Sequence, residues 1–270
     1  MRLFDTHCHL QDPAFADDAR EAIGRAGDAG LIGMVICGYD AVSNHAAIEL
    51  AATSPIAHPT VGFHPHDSKD LTPALLAEME SLAARPEVVG IGEIGLDFVR
   101  EHSPRDVQRR ALDEQLGIAL RLGKPVSVHT RGAEDDVHDH LAPFARSWAL
   151  AASGPPGVMH CFGGTLEQAR RFVALGFLVS IACAITYPKN DEARRIAAGL
   201  PLESLVVETD SPYLPPQDRR GKRNEPAFVE AAVVAIGQAR GIPATIAADA
   251  TTANAARLFK VAIPSAAGVS

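Results

Sequence analysis

Four cysteines, one tryptophan and three tyrosines are all that this 270-residue chain carries of three informative residue types. Cys8, Cys37, Cys161 and Cys183 form no C-x-x-C pair and lie in apolar, strand-like runs. That excludes a disulfide scaffold and a cysteine zinc ribbon, and predicts reduced thiols acting as small hydrophobes. Trp148, Tyr39, Tyr187 and Tyr213 leave little aromatic surface on which bases could stack. No apolar stretch reaches the roughly 18 residues that span a bilayer, and the start lacks the basic-then-apolar pattern of a secretory signal. A cytoplasmic protein with no membrane partner is the expectation. The net charge of −8 argues against a general nucleic-acid coat, because phosphate binding rests on Lys and Arg. Any polyanion site must be local.

Apolar or β-branched runs recur along the chain, each followed by helical spacing: "RLFDTHCHL", "LIGMVICGY", "IAHPTVGFHPH", "EVVGIGEIGLD", "KPVSVHTR", "GVMHCF", "FLVSIACAI" and "SLVVETDSPYL". After the fourth run, Val107, Ala111, Leu112, Leu116 and Leu120 recur at steps of about four, the stripe of an amphipathic helix. After the sixth, Thr165 with Gln168 reads as a capping box and Gly176 as a stop. Strands alternating with helices imply a parallel sheet covered by helices, and about eight repeats suit an α/β fold of the (β/α)8 TIM-barrel type. No G-x-G-x-x-G follows the first strand, which counts against an open dinucleotide-binding sheet. The whole chain, 1–270, reads as one domain, with helical stretches near 226–240 and 244–260 and a tail, "IPSAAGVS", expected to fray.

Chemistry collects at the ends of these runs. His7 and His9 are two apart, so on a strand they share a face. Glu93, His129, His160 and Asp210 close the fourth, fifth, sixth and eighth runs, where such side chains are costly to bury without a partner. In a barrel these ends gather at one mouth. His7, His9, Glu93, His129, His160 and Asp210 exceed what one tetrahedral zinc uses, so a binuclear site bridged by Glu93 is expected. Imidazole-rich ligation favours zinc or manganese over magnesium without deciding the ion.

Of the other histidines, His45, His58, His102, His138 and His140 read as ordinary surface or structural residues. In "GFHPH", Pro65 keeps His64 extended at the mouth as a substrate contact, while the role of His66 stays open. Asp5, on the face of His7, and Glu208, on the face of Asp210, are candidates to orient ligand imidazoles from behind. After the eighth run "RRGKRNEP" gathers Arg219, Arg220, Lys222 and Arg223 beside the mouth of an otherwise acidic protein, which suits an anionic substrate. Arg131 is a further phosphate candidate, and Tyr213 is the tyrosine best placed to meet a base.

"DTHCHL", "GFHPH", "GEIGLD", "PVSVHTR", "HCFGG", "ETDSPYLPP", "RGKRNEP" and "TTANAARLF" occur in the order in which the TatD-type metal-dependent deoxyribonucleases carry them, and the chain resembles that family across nearly its entire length. The resemblance implies a (β/α)8 metallohydrolase that cleaves DNA phosphodiesters, often from the 3′ end, with a role in DNA repair. It assigns the metal positions to His7, His9, Glu93, His129, His160 and Asp210. Gly132 stands where the family has an acidic neighbour to Arg131, so no acidic role carries over there. The expected mechanism activates water between two divalent ions, with Asp210 as ligand and proton acceptor and His64 positioning phosphate. The rival enzyme reading is a hydrolase of a small cyclic amide, ester or lactone, against which stand the basic loop and Glu93 where many such relatives carry a carbamylated lysine. A non-catalytic metal-dependent binding protein would not need so complete a ligand set. Nothing demands a partner subunit, so a monomer is expected.

Overall fold

The computed structural model describes residues 1–263, so the tail expected to fray lies, from 264 onward, outside the described residues. The strands are β1 (Leu3–Cys8), β2 (Leu31–Cys37), β3 (Ala57–Val61), β4 (Gly90–Asp97), β5 (Val126–Arg131), β6 (Gly157–Met159), β7 (Leu178–Ala182) and β8 (Leu205–Glu208). They form one eight-stranded sheet in sequence order, every neighbouring pair parallel. At the seam Asp210 donates its backbone N–H to His7 O (2.9 Å), and His9 donates to Ser211 O (2.7 Å). Those bonds join β8 to β1 and close the barrel, as the alternation of strands and helices predicts.

The helices are α1 (Ala19–Asp28), α2 (Ala41–Ala51), α3 (Pro73–Ala83), α4 (Arg105–Leu122), α5 (Glu134–Ala151), α6 (Leu166–Ala174), α7 (Asp191–Gly199), α8 (Glu230–Arg240) and α9 (Ala244–Phe259). Local chemistry sets their ends. Thr165 and Gln168 complete the capping box of α6, Asp40 and Ser43 do the same for α2, and Gly123, left-handed at φ +61°, stops α4. Because helices cover the outside, β1, β4, β7 and β8 are buried along their whole length, and the polar residues they carry, Asp5, Thr6, His7, Glu93, Asp97, Ser180 and Glu208, are buried with them. Where the strands begin, Phe259 of α9 stacks on Phe4 of β1 at 6.4 Å and closes that end. No single described helix is long and apolar enough to cross a membrane.

Two features place the mouth. The β6 segment is only Gly157–Met159, shorter than its run suggests, because Cys161 turns left-handed at φ +43° and leaves the sheet. Cys161 is therefore half-buried in a turn and not a strand thiol, and Cys183, though buried, opens the 3-10 turn that follows β7; Cys8 and Cys37 are buried strand thiols, and all four are free. At Gly95 (φ +143°) β4 and β5 approach so closely that a Cβ would lie 2.0 Å from His129 O. Only glycine fits there.

Candidate metal centre

At the ends of the strands, Glu93 stands between two sets of imidazoles. Its Oε2 faces His7 Nε2 at 3.4 Å and His9 Nε2 at 3.5 Å. Its Oε1 faces His64 Nε2 at 3.3 Å, His129 Nδ1 at 3.1 Å and His160 Nε2 at 3.3 Å. The backbone beneath this carboxylate is tied to the end of β2, because Glu93 donates its N–H to Gly38 O at 2.7 Å. Asp210 Oδ1 lies 3.7 Å from His9 Nε2 on the left-handed turn after β8 (φ +56°). Clusters able to hold a cation are His7, His9 and Glu93; His7, His160 and Asp210; and His64, Glu93 and His129.

The far side of each ring decides what the near side offers. His9 Nδ1 meets Cys37 O at 2.9 Å, and a carbonyl only accepts, so its proton sits on Nδ1 and Nε2 presents a lone pair. His160 turns Nδ1 toward Glu208 Oε1 at 3.2 Å, and His129 turns Nε2 toward Asp97 Oδ2 at 3.5 Å. His7 points Nδ1 at Ser127 Oγ, 3.2 Å away. His64 is the opposite case. Its Nδ1 accepts the backbone N–H of His66 at 3.2 Å, which puts the proton of the neutral ring on Nε2.

These donors fit divalent cations. The Nε2 atoms of His7 and His9 are 3.1 Å apart and share Glu93 Oε2, so three electron-pair donors converge on one point. Ligands at roughly 2.0–2.1 Å from a tetrahedral zinc stand about 3.3–3.4 Å from one another, close to these separations. Electrostatics agree. Burial, with the charge of His160, pushes His7 down to about 3, and burial, partly offset by Glu93, pushes His64 down to about 4, so both rings are neutral. Burial opposes the charge on Glu93, but His64, His160 and His129 outweigh it and hold the carboxyl well below the carboxylate range. His160 is held well above its ordinary value, because Glu208 and Glu93 outweigh its burial. A metal entering between His160 and Glu93 displaces that proton. Burial raises Asp210 to about 6.

The supporting residues are not all used as the sequence suggests. Glu208 Oε1 faces His160 and also accepts the Cys161 N–H at 2.6 Å. Asp5 touches no imidazole: it accepts the backbone N–H groups of His7 (3.2 Å) and Thr209 (3.0 Å) and the Thr209 hydroxyl (2.6 Å), pinning the β1–β8 seam instead. Arg223, expected to meet phosphate, is committed elsewhere; it donates to Asp18, Glu225 and Ala14 O and lies over the Phe15 ring at 4.2 Å. Arg219 stacks on Phe228 and Arg220 on Tyr187, while Arg131 and Lys222 are exposed. Tyr213 is 54% exposed, donates its hydroxyl to Asp12 and lies 6.4 Å from the His9 ring, with Tyr39 at 5.4 Å.

Asp97 belongs to this group although its place in the sequence does not single it out. It is fully buried at the end of β4, its Oδ2 2.9 Å from His66 Nε2 and 3.5 Å from His129 Nε2. The signal was present: Asp97 is four residues from Glu93 in "GEIGLD" and so on the same strand face. His66, left open, is its partner, and His102 stacks on His66 at 4.5 Å.

Comparison with known proteins agrees with this geometry. The family described as TatD related DNase matches residues 4–260. The 3′-5′ ssDNA/RNA exonuclease TatD of Escherichia coli K12 is 37% identical over 265 residues, covering 96% of this chain and 100% of that protein. The uncharacterized metal-dependent hydrolase YabD of Bacillus subtilis strain 168 is 33% identical over 259 residues, covering 96% of this chain and 99% of that protein. Among solved structures, the TatD homologue YjjV of Escherichia coli K12 superposes with a TM-score of 0.89 at 32% identity, covering 96% of this chain and 98% of that one. A barrel whose mouth is lined with converging imidazoles about one buried glutamate, matched over nearly its full length, places this chain in the family of TatD-related, metal-dependent DNases.

Proposed function

We propose that the protein hydrolyses phosphodiester bonds of single-stranded DNA from the 3′ end, with two divalent cations held on either side of Glu93. The observation that carries this reading is the division of the Glu93 carboxylate: one oxygen serves His7 and His9, the other His129 and His160. A bridging carboxylate in a paired-cation site needs that division. The relatives named exonucleases supply the substrate class, and their names include RNA as well as single-stranded DNA.

Bound in this site, divalent cations supply Lewis-acid polarisation of a phosphoryl oxygen and make water a nucleophile near neutral pH. The protein does the rest. His7, His9 and Asp210 hold one side of Glu93, and His129 and His160 hold the other. His64, neutral and with its proton on Nε2, donates to a phosphate oxygen and stabilises charge as it grows there. Asp210, beside His9 at the mouth, takes the proton of the attacking water. Arg131, Arg219, Arg220 and Lys222 draw the strand toward the mouth, and Tyr213 offers its face to a base. The four unpaired cysteines suit a reducing cytoplasm, and the exposed large apolar side chains Met1, Val42, Val99, Leu150, Tyr213 and Ile246 lie on separate segments of the chain, which suits a monomer.

The test is incubation of metal-stripped protein with end-labelled single-stranded DNA, then RNA, after adding magnesium, manganese or zinc, with Glu93→Gln beside it. Metal-dependent laddering from the 3′ end, absent in the variant, is expected. Uncut strands under every metal, with turnover of a cyclic amide or lactone, overturn the reading.

A further inference from the structure

Four of the imidazoles around Glu93 approach it through Nε2; His129 alone approaches through Nδ1. The reason lies behind it. Its Nε2 is turned to Asp97 Oδ2, and that oxygen also meets His66 Nε2 at 2.9 Å. The other oxygen, Oδ1, accepts the backbone N–H groups of Val99 and Arg100, both at 2.9 Å, and the Asp97 N–H is held by Gln108 Oε1 at 2.8 Å. Asp97 is thus anchored on one edge by the chain after β4 and presents its other edge to two histidines from different strands. At 3.5 Å the contact with His129 is an ion pair and not a hydrogen bond, but the negative charge behind the ring favours the proton on Nε2 and leaves Nδ1, 3.1 Å from Glu93 Oε1, as the nitrogen able to bind a cation.

We propose that Asp97 is a positioning residue of this centre, selecting the ring orientation and tautomer by which His129 becomes a metal ligand through Nδ1. Through the shared Oδ2 it also fixes His66, whose ring lies against His64 at 4.3 Å, so one carboxylate sets the attitude of both the ligand on β5 and the phosphate contact after β3. This rests on the reading of His129 as a metal ligand but not on the identity of the substrate.

The wild-type protein gives the first test. Loaded with zinc and labelled with 15N in histidine, it should show His129 protonated on Nε2 and metal-shifted on Nδ1 in long-range proton–nitrogen spectra; the reverse assignment overturns the proposal. The second test is Asp97→Asn, titrated with zinc alone by calorimetry. Loss of such a supporting partner costs about 10- to 100-fold in metal affinity, and that loss is expected at one of the two ions, with kcat lowered and KM changed less than kcat. Zinc affinity and His129 spectra unchanged from wild type overturn the proposal, as does a variant altered only in Tm. Failure to cut DNA with the zinc and spectral results intact would refute the nuclease reading and leave this one standing.

Discussion

His64 Nδ1 accepts the backbone N–H of His66 at 3.2 Å, while its Nε2 stands 3.3 Å from Glu93 Oε1. This neutral ring offers a proton where its neighbour His9 offers a lone pair. It belongs by distance to a cluster that could hold a cation, yet by hydrogen bonding it is a donor.

Replacing His64 by Ala is therefore expected to leave the zinc content unchanged and to lower kcat by about 10²- to 10³-fold, the usual cost of one charge-stabilising donor. Metal analysis of the purified variant beside its kinetics decides the matter. Loss of an ion would make His64 a ligand instead.

Removing metal should destabilise the fold, because converging acceptors are left facing one another. Zinc at a hundred times its dissociation constant adds about 2.7 kcal/mol. For a chain of this size each kcal/mol moves Tm by roughly 2–4 °C. Thermal melts with chelator and with graded zinc should show a concentration-dependent rise; a flat Tm would mean no site of that affinity.

Arg223 and Arg25 bracket Asp18 and Glu225 in a clamp between α1 and the basic loop. Hydrogen bonds from Arg223 and Arg25 hold Asp18 below the carboxylate range, and the same two cations outweigh burial at Glu225. Both folded-state values are depressed, so the clamp contributes fully above the unfolded carboxylate value of about 4 and is lost as pH falls below it. Arg223→Ala is expected to cost about 1–2 kcal/mol at neutral pH and to flatten the fall of stability below pH ~4. Urea titrations at several pH values read both; an unchanged acid slope would contradict the assignment.

The same commitment separates Arg223 from its neighbours in substrate binding. In a Glu93→Gln background, Arg220→Ala should reduce the slope of log affinity against log salt for a single strand by about 0.7. Arg223→Ala should leave the slope unchanged. Fluorescence anisotropy across salt concentrations distinguishes the two, and equal effects would place Arg223 on the strand.

At Gly95 a methyl group would meet His129 O at 2.0 Å on a backbone with φ +143°. Gly95→Ala is expected to lose about 2–3 kcal/mol of stability through strain and overpacking, and to displace the strand that carries His129. Denaturation and zinc binding measured together test this, since a stable variant with normal zinc affinity would show that β4 and β5 can separate there at no cost.

Much of this molecule was determined by the sequence itself. The alternation of runs imposes a parallel barrel, because parallel strands covered by helices on one side and packed side chains on the other are buried on both faces, and crossover helices must separate them. The positions of His7, His9, Glu93, His129, His160 and Asp210 at run ends follow from the same logic, since the strand ends of a barrel gather at one mouth, where polar side chains find one another as partners. Tertiary structure decided which nitrogen each histidine offers, because that depends on a partner distant in sequence: Cys37 O behind His9, Glu208 behind His160, Asp97 behind His129. It also decided that Arg223 is an anchor and Asp5 a seam pin, roles set by Asp18, Glu225 and Thr209. Strand periodicity specifies the face on which a side chain emerges, but a hydrogen bond or ion pair needs its partner within about 3–4 Å, and only the closed barrel brings residues of different strands that near.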